Sequence, residues 1–167
     1  MVDVSIRPAV PGDAAAIHAL IRELAEYERL TQLCTGSTAD LAAALFGPQP
    51  AAEVLLAEVD GGIAGFALFF HNFSTFLARR GLWLEDLYVQ PAFRGHGVGG
   101  GLLRAVAAIA VDRRCGRFEW SVLDWNAPAI GFYERLGATV MPDWRIARVT
   151  GDALAHLIEP AAGSLPG

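Results

Sequence analysis

The chain contains no lysine: all 13 of its basic residues are arginine. That excludes a Schiff-base lysine and the lysine of a phosphate-binding P-loop, and with them two large enzyme classes. Cysteine is nearly absent. Cys34 and Cys115 are the only two, neither in a CxxC pair, so no disulfide framework exists. The four histidines, His18, His71, His96 and His156, are too scattered for metal-ligand spacing. Positive charge is in the minority, at 13 basic against 18 acidic side chains and a net charge of −5. A nucleic-acid binder shows a basic face, so this balance argues against one. Long apolar runs are missing too. Ile63–Phe70 is the longest, and it is far too short to span a bilayer. The opening MVDVSIRPAVPGD lacks the charged-then-apolar pattern of a signal peptide. These absences predict a soluble, reduced, cytoplasmic protein with no metal, no nucleic-acid partner and no membrane contact.

What is present is apolar. The 167 residues are 53 % apolar and 19 % charged, which excludes intrinsic disorder. This length fits one domain, expected over residues 1–158 with a frayed tail over 159–167. Val2–Ile6 alternates like an edge strand. Asp13 is suited to cap a helix with the stripe Ile17, Leu20, Ile21, Leu24 and Tyr27. Ser37 or Thr38 would cap a short helix over Leu41–Phe46. Glu53–Val59 and Ile63–Phe70 read as strands joined at Asp60-Gly61-Gly62, a tight hairpin signal. A loop is predicted over His71–Arg80, then a strand over Gly81–Val89, a helix over Leu102–Arg113 and a strand over Arg117–Leu123. Asn126 opens a helix to about Leu136, closed by Gly137. Two short strands, Ala138–Met141 and Arg145–Val149, and a helical turn at Gly151–Leu157 complete the pattern. The crossover helix makes Gly81–Val89 and Arg117–Leu123 parallel. The expected class is α/β: a mixed, mostly antiparallel sheet with helices on both faces.

Between a strand and a helix lies Arg94-Gly95-His96-Gly97-Val98-Gly99-Gly100-Gly101. Glycines let a backbone approach an anion, and a helix N-terminus offers unpaired N–H groups and a positive dipole end. The physical product is a phosphate or pyrophosphate cradle. Gly95, Gly97 and Gly100 satisfy GxGxxG, but in the dinucleotide fold those glycines follow an N-terminal strand directly. Here Gln90–Arg94 intervene and the turn lies past mid-chain.

Arg94-x-x-Gly97-x-Gly99, after a strand ending aromatic-Val-x-Pro, resembles the pyrophosphate signature of the GNAT superfamily of N-acetyltransferases. LEDLYVQPAFRGHGVGGGLL fits it without a gap, and LDWNAPAIGFYERLGA resembles that family's later strand–loop–helix. Ile6-Arg7-Pro8-Ala9, Glu23-Leu24-Ala25-x-Tyr27-Glu28, Leu84-Glu85-Asp86 and Trp144-Arg145 are similar to the spermidine/spermine branch, which includes enzymes of diamines and thialysine. The resemblance covers about residues 4–157. It implies a splayed parallel strand pair. It also implies acetyl transfer from acetyl-coenzyme A to a primary amine of a small cationic substrate, by direct attack in a ternary complex. Acetylation of a protein or peptide, and a non-catalytic coenzyme A-binding module, are the alternatives.

Such chemistry needs a base, an oxyanion donor and an acid, because a lysine-like ammonium has a pKa of about 10.4. A carboxylate in this otherwise apolar strand is costly unless it faces water or a cation, and the resemblance gives the base role to Glu85, directly or through water. Strand alternation sends Asp86 to the other face, where its expected role is to orient substrate or to support the structure. The resemblance gives the acid role to Tyr133 and the oxyanion donors to backbone N–H groups of Leu87, Tyr88 and Val89. It gives the cofactor's pyrophosphate to Arg94, Gly95, His96, Gly97, Val98, Gly99 and Gly100, with His96 in a variable, solvent-facing slot. It adds Asn126 and Pro128 along the pantetheine arm. Tyr27, Glu28, Glu119, Trp120 and Trp144 would line the amine site. Met141-Pro142-Asp143 stands where the polyamine enzymes carry an acidic insertion, which favours a shorter amine. A homodimer paired through the C-terminal strands is also implied.

Overall fold

The computed structural model describes residues 3–158, so the tail expected to fray lies outside the described residues. The chain divides into two compact units between Ser121 and Val122. The first holds a five-stranded sheet in the order β1-β2-β3-β4-β5. Its strands are β1 (Val4–Pro8), β2 (Glu53–Val59), β3 (Gly62–Ser74), β4 (Arg79–Val89) and β5 (Phe118–Trp120). The first four are antiparallel, and β5 runs parallel to β4. Three helices accompany them: α1 (Ala14–Tyr27), α2 (Thr38–Phe46) and α3 (Val98–Asp112).

β2 explains why helices cover both faces. Val54, Leu55, Leu56 and Ala57 are all buried, so neither side of the strand meets water. Val54 and Leu56 join Ile17, Leu20 and Leu24 of α1, Leu45 of α2, Phe66 and Tyr88 in one core cluster. α3 packs along β1 to β4, burying Val98, Leu102, Leu103 and Val106. Full burial of each such large side chain stabilises by about 1.5–3 kcal/mol.

Several local expectations are corrected. Asp13 stands at the N-cap position of α1, but its side chain makes no capping bond to that helix. It lies inside a 3-10 turn, and its carboxylate takes the Val10 N–H at 2.8 Å and a two-pronged ion pair from Arg7 at 2.7 and 3.0 Å. Ser37 does cap α2, reciprocally with Asp40. The predicted loop over His71–Arg80 is largely strand. β3 continues to Ser74 and β4 starts at Arg79, leaving a tip at residues 75–78. β5 is three residues long instead of seven.

The second unit contains α4 (Ala127–Arg135) and α5 (Asp152–His156). Ala138–Met141 and Arg145–Val149 are not strands. No ladder partner is present for them among the described residues, and Pro142 interrupts the run between them.

Candidate active site

β4 leads into the glycine turn. Gly95 and Gly97 have φ of 80° and 79°, which L side chains rarely adopt. Gly97 is the N-cap of α3, with no side chain capping the helix. The first amides of α3 therefore have no side-chain acceptor, and the Gly101 N–H is the first to bond back into the helix, to the Gly97 carbonyl at 2.8 Å. Open space surrounds both positive-φ glycines, as nothing would touch a Cβ there within 4 Å. A pyrophosphate fits this arrangement. Sequence reasoning missed Arg104. Its guanidinium folds back along α3 to within 3.2 Å of where a Cβ on Gly100 would stand. The only signal was an i, i+4 spacing that many surface arginines share.

The carboxylates stand at a break in β4. Leu68 pairs with Asp86 and Phe69 with Leu84, so Glu85 is an extra residue without a partner on β3. This is a β-bulge, which re-aims the side chains around it. Glu85 is exposed and accepts the Trp83 indole N–H at 2.9 Å. Asp86 is half-buried. Burial, then the charges of Glu85 and Glu28, push its carboxyl up to about 7 from an ordinary 3.8. Burial also raises Glu28, just beyond the end of α1. The simple alternation that separates Glu85 from Asp86 in sequence is interrupted where both stand, and the charges of Glu85 and Glu28 both act on Asp86. Pairing with β5 covers only Leu82–Leu84, so Glu85–Val89 has no strand partner on that edge among the described residues. Leu87, Tyr88 and Val89 thus belong to the unpaired stretch.

Arg94 donates from Nε to the Val89 carbonyl at 2.9 Å. Its guanidinium carbon lies 5.0 Å from the centre of the Tyr27 ring and 5.6 Å from that of Tyr88. Glu23 accepts the Tyr88 hydroxyl at 3.2 Å and the Gln90 amide at 2.9 Å. His96 is exposed, with Nδ1 2.9 Å from the Arg94 carbonyl. Glu119 is ion-paired to Arg117 at 2.7 Å and accepts Asn72 at 3.1 Å. Trp120 tilts against Phe118 at 5.0 Å.

In the second unit Asn126 is buried and caps α4, accepting the Ala129 N–H at 3.4 Å, with Pro128 in the first turn. Tyr133 is half-buried on α4, its ring 5.2 Å from that of Phe132. Trp144 is 77 % exposed. The structure thus gathers Glu28, Glu85 and Asp86, and separately Tyr27, Tyr88 and Arg94, within the first unit. Among the described residues no group of three or more His, Cys, Asp or Glu is arranged to hold a metal. No described helix is long and apolar enough to cross a membrane.

A five-stranded sheet with one parallel pair, a strand bulged at its carboxylates and a glycine turn opening an uncapped helix define an acetyltransferase fold. The model of the Acetyltransferase (GNAT) family matches residues 16–138, and the chain belongs to that family. It is an acetyl-coenzyme A-dependent amine N-acetyltransferase. It is 38 % identical to thialysine N-epsilon-acetyltransferase of Sus scrofa, over 94 % of this chain and 98 % of that one. It is 37 % identical to the L-ornithine N5-acetyltransferase NATA1 of Arabidopsis thaliana, over 89 % of this chain and 85 % of that protein. A Vibrio cholerae integron cassette protein has a similar structure, with a TM-score of 0.79, 25 % identity and coverage of 94 % and 98 %.

Proposed function

We propose that the enzyme acetylates a primary amine of a small cationic molecule: a diamine, a polyamine, or an amino-acid amine of the thialysine or ornithine kind. The observation that carries this reading is the carboxylate group of Glu28, Glu85 and Asp86 at the β4 bulge. Burial and the charges of Glu85 and Glu28 raise the proton affinity of Asp86, and such a grouping is costly without a cation beside it. An ammonium would lower that cost and be held beside the strand.

In this reading acetyl-coenzyme A lies with its pyrophosphate on the amides of Gly95–Gly100, His96 and Val98 included, with Arg104 as a nearby cation. Asn126 and Pro128 meet the pantetheine arm. Tyr27, Glu28, Glu119, Trp120 and Trp144 surround the amine. Glu85, directly or through water, takes a proton from the ammonium, and Asp86 orients it. The free amine attacks the acetyl carbon in a ternary complex. Backbone N–H groups of Leu87–Val89 bond the carbonyl oxygen as it gains charge. The carbon–sulfur bond breaks as Tyr133 gives its proton to the thiolate, and the second proton lost by the nitrogen on forming the amide restores Tyr133. Residues 1–158 act as one cytoplasmic domain and pair as a homodimer.

Coenzyme A release across putrescine, spermidine, spermine, thialysine, ornithine, lysine and a lysine peptide tests the proposal. Turnover with short amines and weak turnover with spermine is the expected result. Release with the peptide alone would reassign the enzyme to protein acetylation. Coenzyme A binding without release would reduce it to a binding module.

A further inference from the structure

The turn's own arginine has its side chain engaged by other parts of the first unit. Arg94 is exposed, yet its Nε is bonded to the Val89 carbonyl and its guanidinium lies against two tyrosine rings. Those rings come from different elements. Tyr27 ends α1 and Tyr88 lies in β4. Tyr88 is itself fixed, since its hydroxyl donates to Glu23, one helical turn before Tyr27. Arg94, Tyr88, Glu23 and Tyr27 therefore form a closed loop of contacts between β4 and the last turn of α1. The residue after Tyr27 is Glu28, whose charge raises Asp86.

We propose that Arg94 is a positioning residue for the amine: stacked on Tyr27 and Tyr88, it holds the end of α1 so that Glu28 faces Asp86. The inference rests on the small-amine reading for its kinetic consequence, but not for its structural one. It divides two arginines by task. Arg104 lies along the anion-binding turn, and Arg94 braces the amine side. A guanidinium over an aromatic face contributes enough to alter an equilibrium several-fold, and two faces contribute more.

The test compares Arg94→Gln with Arg104→Gln, using three readouts. In Arg94→Gln the amine KM rises about tenfold, while coenzyme A binding measured by calorimetry stays within about threefold of the parent. In Arg104→Gln the pattern reverses. Tyr27→Leu raises the amine KM similarly, and adding it to Arg94→Gln raises KM little further, because both remove one brace. Hydrogen exchange of amides 24–30 is faster in Arg94→Gln and unchanged in Arg104→Gln. Weakened coenzyme A binding in Arg94→Gln with an unchanged amine KM would make Arg94 an anion ligand and overturn the proposal. So would additive effects of Arg94→Gln and Tyr27→Leu, or unaltered exchange at 24–30. If the parent turns over no amine, the small-amine reading fails by itself, while the exchange result still decides the brace.

Discussion

Asp86 shows how one side chain sets a pH dependence. Its carboxyl titrates near 7 because burial and two neighbouring acids disfavour its charge. We expect the lower limb of the kcat/KM profile to fall near pH 7, and Asp86→Asn to remove it. Glu85→Gln is the discriminating variant. It removes one of the charges that raise Asp86, so a limb owned by Asp86 moves to lower pH, whereas a limb owned by Glu85 disappears. Stability follows the same linkage. The folded protein holds this proton more tightly than the unfolded chain, so the contribution is complete below about pH 4 and lost as pH rises through 7. A rise of this size corresponds to at most about 4 kcal/mol. Asp86→Asn should therefore melt higher than the parent at pH 8 and not at pH 4, by thermal scans at both. The three carboxylates were all legible in sequence as candidates. Their ranking was not, because period-two alternation assumes an unbroken strand and Glu85 is the residue that breaks it. Tyr133 was legible only through the family's Phe-Tyr element, since a tyrosine on an apolar helical face is otherwise ordinary core.

At the scale of elements, what could be read from local signals is what forms locally. The Asp60-Gly61 hairpin, the Ser37 cap and the Gly137 stop are set by a few adjacent residues, and all appear as read, with Gly137 at φ 92°. β5 and the strands expected after α4 depend on partners distant in sequence. Their apolar alternation is necessary for a strand but does not supply a neighbour. The glycine turn lies between these cases: its conformation is local, and the pyrophosphate proposed for it lies outside the chain. Gly97→Ala tests both. No atom blocks a Cβ, so the cost is the left-handed backbone alone, about 1–2 kcal/mol. We expect a melting temperature lower by a few degrees and a weaker affinity for coenzyme A, since the first amides of α3 must shift if the turn relaxes. An unchanged affinity alongside the lower melting temperature would separate the glycine's backbone role from anion binding.

For the whole molecule, the apolar surface poses the largest question. Val140, Met141, Trp144, Ile146 and Val149 are each at least 43 % exposed within a segment that has no strand partner among the described residues. Trp144 and Ile146 share a parity that would place both on one side of an extended chain. Monomers seldom leave so much contiguous apolar chain in water. A second copy of an acidic chain would cover it only if like charges were kept apart, and this stretch suits that condition. Between residues 138 and 150 it carries Arg145 and Arg148 against Asp143 alone, in a protein of net charge −5. Light scattering after size exclusion should therefore give twice the 17.8 kDa of one chain. Ile146→Glu should shift the protein to the monomer, because it buries a charge in the proposed contact. If the acidic amine site works by attraction, kcat/KM for a diamine should fall as salt is raised from 50 to 300 mM, on the order of the screening expected over that range. The two measurements are independent. A monomeric parent that keeps full activity would remove the homodimer and leave the amine chemistry intact. An Ile146→Glu monomer that loses turnover but keeps coenzyme A affinity would tie the amine site to the pairing of chains.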